Sequence, residues 1–307
     1  MVLENVFTKK AGFLELNAIL LLVNFVSIVL ARFIFGSNAG IVSVVFISLF
    51  LFLISQKYAD YKDSLYFYVI VFFNVFLCYL FAAFVLPQMG INVFNIFQEQ
   101  LNVTQNIVGE ARGFDSTSIL FNNFIVLLVC FLLGVLGGNV FLFFLLWNAS
   151  AWGSVFGFIS LNYGIISQIN PFIVLFSLLT VIIWHTALEG LTYIFGGISG
   201  KLLSQTLLSH KNIMLSVIVS ILIFLLLVFS RLFFSNNGFI GVFLSLIFSA
   251  LIFIGVWLFF SEKSKDIKMS AILFGCSLIL LVLAYYVEVF VILNSSLLSS
   301  ISFAGLI

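Results

Sequence analysis

What this sequence has least of is charge. Asp, Glu, Lys and Arg make up 7% of its 307 residues, against roughly 25% in a soluble domain, so it cannot furnish a water-facing surface of ordinary extent. Twelve basic and eleven acidic residues leave a net charge of +1. That balance excludes the basic face a nucleic-acid binder needs and offers nothing to steer a strongly anionic partner. Cysteine is scarce as well: Cys78, Cys130 and Cys276 fall inside apolar stretches with no paired spacing, which excludes a disulfide framework and a zinc cluster and leaves three small core hydrophobes. There are two histidines, His185 and His210. No HExxH motif, nucleotide-binding motif or complete catalytic set is present, so neither an enzyme nor a bound cofactor or metal is expected. No soluble domain, linker, low-complexity segment or convincing internal repeat interrupts the chain.

What fills the sequence is hydrocarbon. Hydrophobic residues are 64% of the chain, and 41 Phe, 9 Tyr and 4 Trp supply lipid-facing and packing surface. A helical span needs about 20 predominantly apolar residues. On that ruler the chain reads as an all-α polytopic transmembrane bundle of about nine spans, at 15–35, 39–56, 64–86, 118–137, 140–160, 170–198, 211–233, 238–260 and 269–293. The run after Lys9 and Lys10 is too long for a signal-peptide core and lacks a clear cleavage site, so it is expected to stay as the first span. The expected location is the cell membrane, with the lipid bilayer as the principal partner.

Cytoplasmic loops carry the excess of Lys and Arg, which tests the count. Nine spans with a cytoplasmic N-terminus place Lys9, Lys10, Lys57, Lys62, Lys201, Lys211, Lys263, Lys265 and Lys268 inside, and leave Arg32, Arg112 and Arg231 outside with the C-terminus. Reading 118–160 as one crossing would put the lysines at 57–62 and 201–211 on opposite sides. Two crossings are therefore expected there, joined at Gly137-Gly138-Asn139 by a tight turn or a re-entrant break. The long connection 87–117 then lies outside. Its Phe94, Phe97 and Leu101 recur at three and four residues between Gln98, Glu99 and Asn102, as in a helix resting on a membrane surface. Asn102-Val103-Thr104 is a weak glycosylation sequon. The whole, 1–307, reads as a single membrane domain made of three spans with this outer segment (1–117), a core (118–210) and three further spans (211–307).

The most polar point of an apolar span is WHTALEGLTYIFGGISG, Trp184 to Gly200. His185 and Glu189 are four residues apart, hence on one helix face and about 6 Å apart along the axis. The parity count puts them near mid-membrane, where an ionised carboxylate costs at least ~2.5–3.5 kcal/mol. Gly196 and Gly200 form a small-xxx-small face, with Gly197 beside them, and Gly153 and Gly157 form another; such faces let backbones approach closely. Asn122 and Asn123 open the fourth span, while Asn148 and Trp152 lie on the fifth. These residues predict that spans four, five and six pack as a tight, partly polar cluster. Glu288, the other intramembrane acid, lies near the outer end of the last span and either lines the same polar interior or reaches the interface from the last two turns; the interface is slightly preferred, with Arg231 as a partner there.

FNNFIVLLVCFLLGVLGGNVFLFFLLWNASAWGSVFG, from Phe121 to Gly157, and HTALEGLTYIFGGISG, from His185 to Gly200, together resemble the stage II sporulation protein M family of polytopic membrane proteins. The signature of that family begins with an Asn-Asn, Gly-containing hairpin and ends with His-Gly-x-x-Glu-Leu-Pro-Ala and a glycine run. Here Thr186 replaces the Gly after the His, and Gly190, Leu191 and Thr192 replace Leu-Pro-Ala. The resemblance covers about residues 118–210. It implies a membrane anchor that holds other membrane or envelope proteins, as the family does for cell-wall hydrolases at the septal membrane of spore formers.

Three readings of His185 and Glu189 follow from the residues themselves. The pair is a hydrogen-bonded packing device, worth ~0.6–2 kcal/mol; or a proton- or solute-handling site with Asn122, Asn123 and Asn148 in a transporter or channel component, in which case helix breaks are expected at Gly137-Gly138 and Gly196-Gly197; or part of a hydrolytic or metal site, which needs a further ligand or nucleophile.

Overall fold

The computed structural model describes residues 12–36, 39–55, 61–101, 116–209 and 265–294. Their regular structure is helical: α1 (Phe13–Phe35), α2 (Ala39–Ser55), α3 (Tyr61–Val85), a 3₁₀ turn (Leu86–Met89), the single turn α4 (Val93–Ile96), α5 (Ser116–Gly137), α6 (Leu142–Ile166), α7 (Pro171–Ser209) and α8 (Lys265–Asn294). Among the described residues, α1, α3, α5, α6, α7 and α8 are long and apolar enough to cross a membrane, and α2 is apolar but has only 17 residues. The expected spans 211–233 and 238–260, together with Arg231 and His210, lie outside the described residues.

Several helices begin or end where the local chemistry sets the limit. Gly36 closes α1 at φ +64°, Gly90 closes the 3₁₀ turn at φ +77°, and Gly138 follows α5 at φ +63°, a region that costs any residue with a Cβ. Pro171 opens α7, whose first turn is capped by the Asn170 side chain accepting from the Phe172 N–H at 2.9 Å. The pyrrolidine ring of Pro171 occupies the place a side chain at Gly164 would fill. Residues 138–141 form a tight turn between two helices. The turn is tied down from within: Asn139 accepts from Tyr68 Oη at 2.6 Å and donates to Ser55 Oγ at 2.7 Å.

Glycine decides which helices lie side by side. A Cβ on Gly196 would meet Leu127, and one on Gly200 would meet the Phe131 carbonyl and the Val135 N–H. Residue numbers rise together on the two helices, so α5 and α7 run parallel. Gly153 faces the backbone at Phe76 and Leu80, and Gly157 faces Leu80 and Ala83, so α3 and α6 are also parallel. The second seam corrects the expectation that Gly153 and Gly157 bind span five to spans four and six; they bind it to α3. The opposite sense holds for α7 and α8, where Ser199 is hydrogen-bonded to Ser270 and His185 lies level with Ala284. Polar clasps complete the bundle: Asn74 joins α3 to Asn17 and Asn24 of α1 at 3.1 and 3.3 Å, and Tyr79 joins α3 to Ser43 of α2.

Two expectations about the borders change. The helix α7 runs unbroken from Pro171 to Ser209, through Gly196 and Gly197 where a break was expected; the Leu127 side chain packs against the first and the Phe141 ring against the second. Lys201, placed by charge parity in a cytoplasmic loop, is inside that helix, 6% exposed, donating to Ser64 Oγ at 3.1 Å with its ammonium 6.0 Å from the Tyr68 ring centroid. The described part of the outer segment is also folded inward. Val93, Ile96, Phe97 and Leu101 are buried, Phe97 packs on Tyr79, and Gln100 lies against Gly40, so this face serves the protein core instead of a lipid surface. The sequon at 102–104 lies outside the described residues.

Candidate functional site

The middle of α7 turns its polar face toward α8. His185 and Glu189 are 5% and 2% exposed, and their Nε2 and Oε2 atoms are 3.2 Å apart, the separation that i and i+4 positions allow. The second ring nitrogen, Nδ1, faces α8, with Glu288 Oε2 at 3.7 Å and the Ala284 carbonyl at 3.4 Å. Tyr193, one turn beyond Glu189, donates from its hydroxyl to Glu189 Oε1 at 2.5 Å. From α6, the Trp152 ring stands edge-on to the imidazole at a centroid distance of 6.0 Å and closes that side with hydrocarbon.

An imidazole thus sits between two carboxylates, one at each nitrogen. The distances are those of ion pairs, but the angles are not those of hydrogen bonds: His185 Nε2, Glu189 Oε2 and Glu288 Oε2 are buried atoms that complete no aligned hydrogen bond among the described residues. Two carboxylates and one imidazolium sum to a charge of minus one. In a low-dielectric interior that imbalance is costly, and one further positive charge, on a carboxyl or beside it, neutralises the group.

The expected site residues are placed unevenly. His185 and Glu189 are together as their spacing implies. Asn123 is buried, Asn122 is exposed at the start of α5, and Asn148 is half-buried with its amide donating to its own helix at Phe144 O, 2.8 Å away. The residues that complete the group are Glu288, Tyr193 and Trp152. Glu288, for which the interface was slightly preferred over the polar interior, takes the interior: its side chain is only 13% exposed and points at His185. Tyr193 could have been found from its spacing, since 185, 189 and 193 form one i, i+4 row. Glu288 stood out as an acid within an apolar span, but its place beside His185 was not readable, because nothing along the chain shows how α8 is phased against α7. Among the described residues, no group of three His, Cys, Asp or Glu side chains has the geometry to hold a metal ion.

Comparison with protein-family models gives no match, and comparisons with curated proteins and with solved structures give none either.

Proposed function

We propose that this protein is a non-enzymatic membrane organiser, a rigid helical body that holds other membrane or envelope proteins, the role implied by its resemblance to the stage II sporulation protein M family. The observation that carries the reading is the pair of glycine seams. Gly200 and Gly134 bring α5 and α7 backbone to backbone, and Gly153 and Gly157 do the same for α3 and α6. Helices locked at that distance are bistable at best and do not slide smoothly, which suits a platform better than a moving gate. The glycines and asparagines quoted in the resemblance include Gly134, Gly196 and Gly200, all on the α5–α7 seam. The test is recovery of the tagged protein from native membranes in a mild detergent. A stable stoichiometric membrane or envelope partner is expected, and recovery of the protein alone counts decisively against the role.

A second reading, a transporter or channel component, is favoured by one specific observation: the burial of His185 between Glu189 and Glu288 where hydrocarbon would pack more simply. Ionisable groups inside a membrane are functional by default. Reconstituted vesicles that take up no ion or solute beyond the leak of protein-free vesicles would remove this reading.

A further inference from the structure

We infer that Glu288, His185 and Glu189 form a proton relay laid along the axis of the bundle, with Tyr193 as its terminal hydrogen-bond donor. This deepens the second reading by naming its ion, and it rests on that reading for its purpose.

The argument begins with phase. On the antiparallel pair α7 and α8, Ser199 pairs with Ser270, and His185, fourteen residues earlier, is level with Ala284, fourteen residues later. The two helices therefore stay in step over that length. Glu288, one turn past Ala284, comes level with Val181 of α7, one turn before His185. Glu288, His185, Glu189 and Tyr193 are thus successive rungs about 6 Å apart along the axis, ordered in one direction although they come from two helices. A cluster that only balanced charge would have no need of this order.

The ring is also placed between the two carboxylates. Imidazole accepts a proton at one nitrogen and releases one from the other, and here each nitrogen faces a different carboxylate, Nδ1 toward Glu288 and Nε2 toward Glu189. The absence of aligned hydrogen bonds at Nε2, Glu189 Oε2 and Glu288 Oε2 leaves the ring unlocked. The Ala284 carbonyl, 3.4 Å from Nδ1, is a competing acceptor for a proton on that nitrogen.

The step balances without a co-reactant. The O–H bond of the Glu288 carboxyl breaks as an N–H bond forms at Nδ1, and the Nε2–H bond breaks as an O–H bond forms on Glu189 Oε2. One proton moves along the axis, the imidazole exchanges tautomers, the single negative charge passes from Glu189 to Glu288, and Tyr193 keeps its own proton while donating a hydrogen bond to Glu189 Oε1. Among the described residues, the titratable groups facing the relay are Glu189 and Tyr193 of α7 and Glu288 of α8, with Cys130 of α5 within electrostatic reach of Tyr193; α6 contributes the uncharged edge of Trp152.

The test uses the full chain in lipid nanodiscs and in sealed vesicles, with wild type, Glu288→Gln, His185→Ala and Glu189→Gln. Glu288→Gln and Glu189→Gln keep side-chain volume, and each variant is first checked for a monodisperse elution profile. In nanodiscs, infrared difference spectra recorded across a pH titration should show the Glu189 carboxyl and the His185 ring changing together, with the Glu189 band displaced in Glu288→Gln. A merely structural Glu288 would leave the Glu189 titration where it is in wild type, and that result overturns the relay. In vesicles with an internal pH dye and an imposed potential, each substitution should lower proton entry roughly tenfold or more. Coupled infrared titration without proton entry retains the relay and removes the transport reading. Uncoupled titration removes the relay whatever the flux.

Discussion

At the scale of single residues, the donor that matters most is the hydroxyl of Tyr193. It gives Glu189 Oε1 a hydrogen bond in a place where the carboxylate is 2% exposed, while the other oxygen has no aligned partner. Tyr193→Phe removes one oxygen atom and leaves a buried acceptor unsatisfied, at a cost of about 1–3 kcal/mol. Hydrogen bonds between membrane helices average nearer ~0.6 kcal/mol; the higher figure is expected here because the group left behind is a carboxylate. Thermal unfolding in detergent micelles should show a lowered midpoint for Tyr193→Phe and almost none of that loss in Tyr193→Phe combined with Glu189→Leu, which removes the orphan. Tyr68→Phe belongs to the same class, since it strips the donor from Asn139 Oδ1 in the turn between α5 and α6. Of these contacts, the His185–Glu189 and Glu189–Tyr193 pairs were readable as i, i+4 spacings. Tyr68 with Asn139, 71 residues apart, was not, because sequence separation holds no record of which helix ends meet.

At the scale of helices, glycine position separates seams from free surface. A Cβ at Gly200 would run into the Phe131 carbonyl and the Val135 N–H, both backbone atoms that cannot rotate away, whereas a Cβ at Gly275 on α8 meets nothing within 4 Å. Gly200→Ala is expected to destabilise the protein by about 1–3 kcal/mol through forced separation of α5 and α7. Gly275→Ala should be neutral or stabilising by up to about 1 kcal/mol, since it removes backbone freedom from a helix interior. Paired thermal-shift measurements on the two variants check the contrast, and equal effects would refute the seam. The small-xxx-small spacing at 196 and 200 and at 153 and 157 was legible in the sequence. Its partners were half legible: the α5–α7 contact was expected and α6 does reach α7 through Trp152, but the glycine face of α6 takes α3, because Phe76, Leu80 and Ala83 present a complementary groove that only the folded bundle brings alongside.

At the scale of the whole molecule, the described helices form a bundle in which α5 and α7 are parallel, α3 and α6 are parallel, and α8 opposes α7. The first of these directions follows from short connections. The turns at 138–141 and 167–170 are too tight for anything but reversal, so a helix and the next but one run the same way. The α7–α8 pairing is testable in a background where Cys78, Cys130 and Cys276 are replaced. Cysteines at Ser199 and Ser270, whose hydroxyls are 3.0 Å apart, should form a disulfide that keeps the two halves joined after proteolysis between them. Cysteines at Ser199 and Ala284 should not, since in-step antiparallel packing puts those positions about 21 Å apart along the axis at 1.5 Å per residue. The reverse outcome would mean that the two helices are out of the register described.

The sequence alone determined that this is a helical, apolar chain, where most of its long helices lie, that 118–160 is two helices, and that His185 and Glu189 share a face. All of these depend on residue type and on spacings within a helix, which are local. Tertiary structure alone decided the rest. It buried Lys201 in α7, folded Phe97 and Leu101 into the core, carried α7 unbroken through Gly196 and Gly197, and brought Glu288 to the second nitrogen of His185. Each of these depends on how one helix is rotated and stepped against another, and apolar helices in lipid have no strong polar face to announce that phase. Packing of small residues and a few buried hydrogen bonds set it, and those become visible only when the helices are side by side.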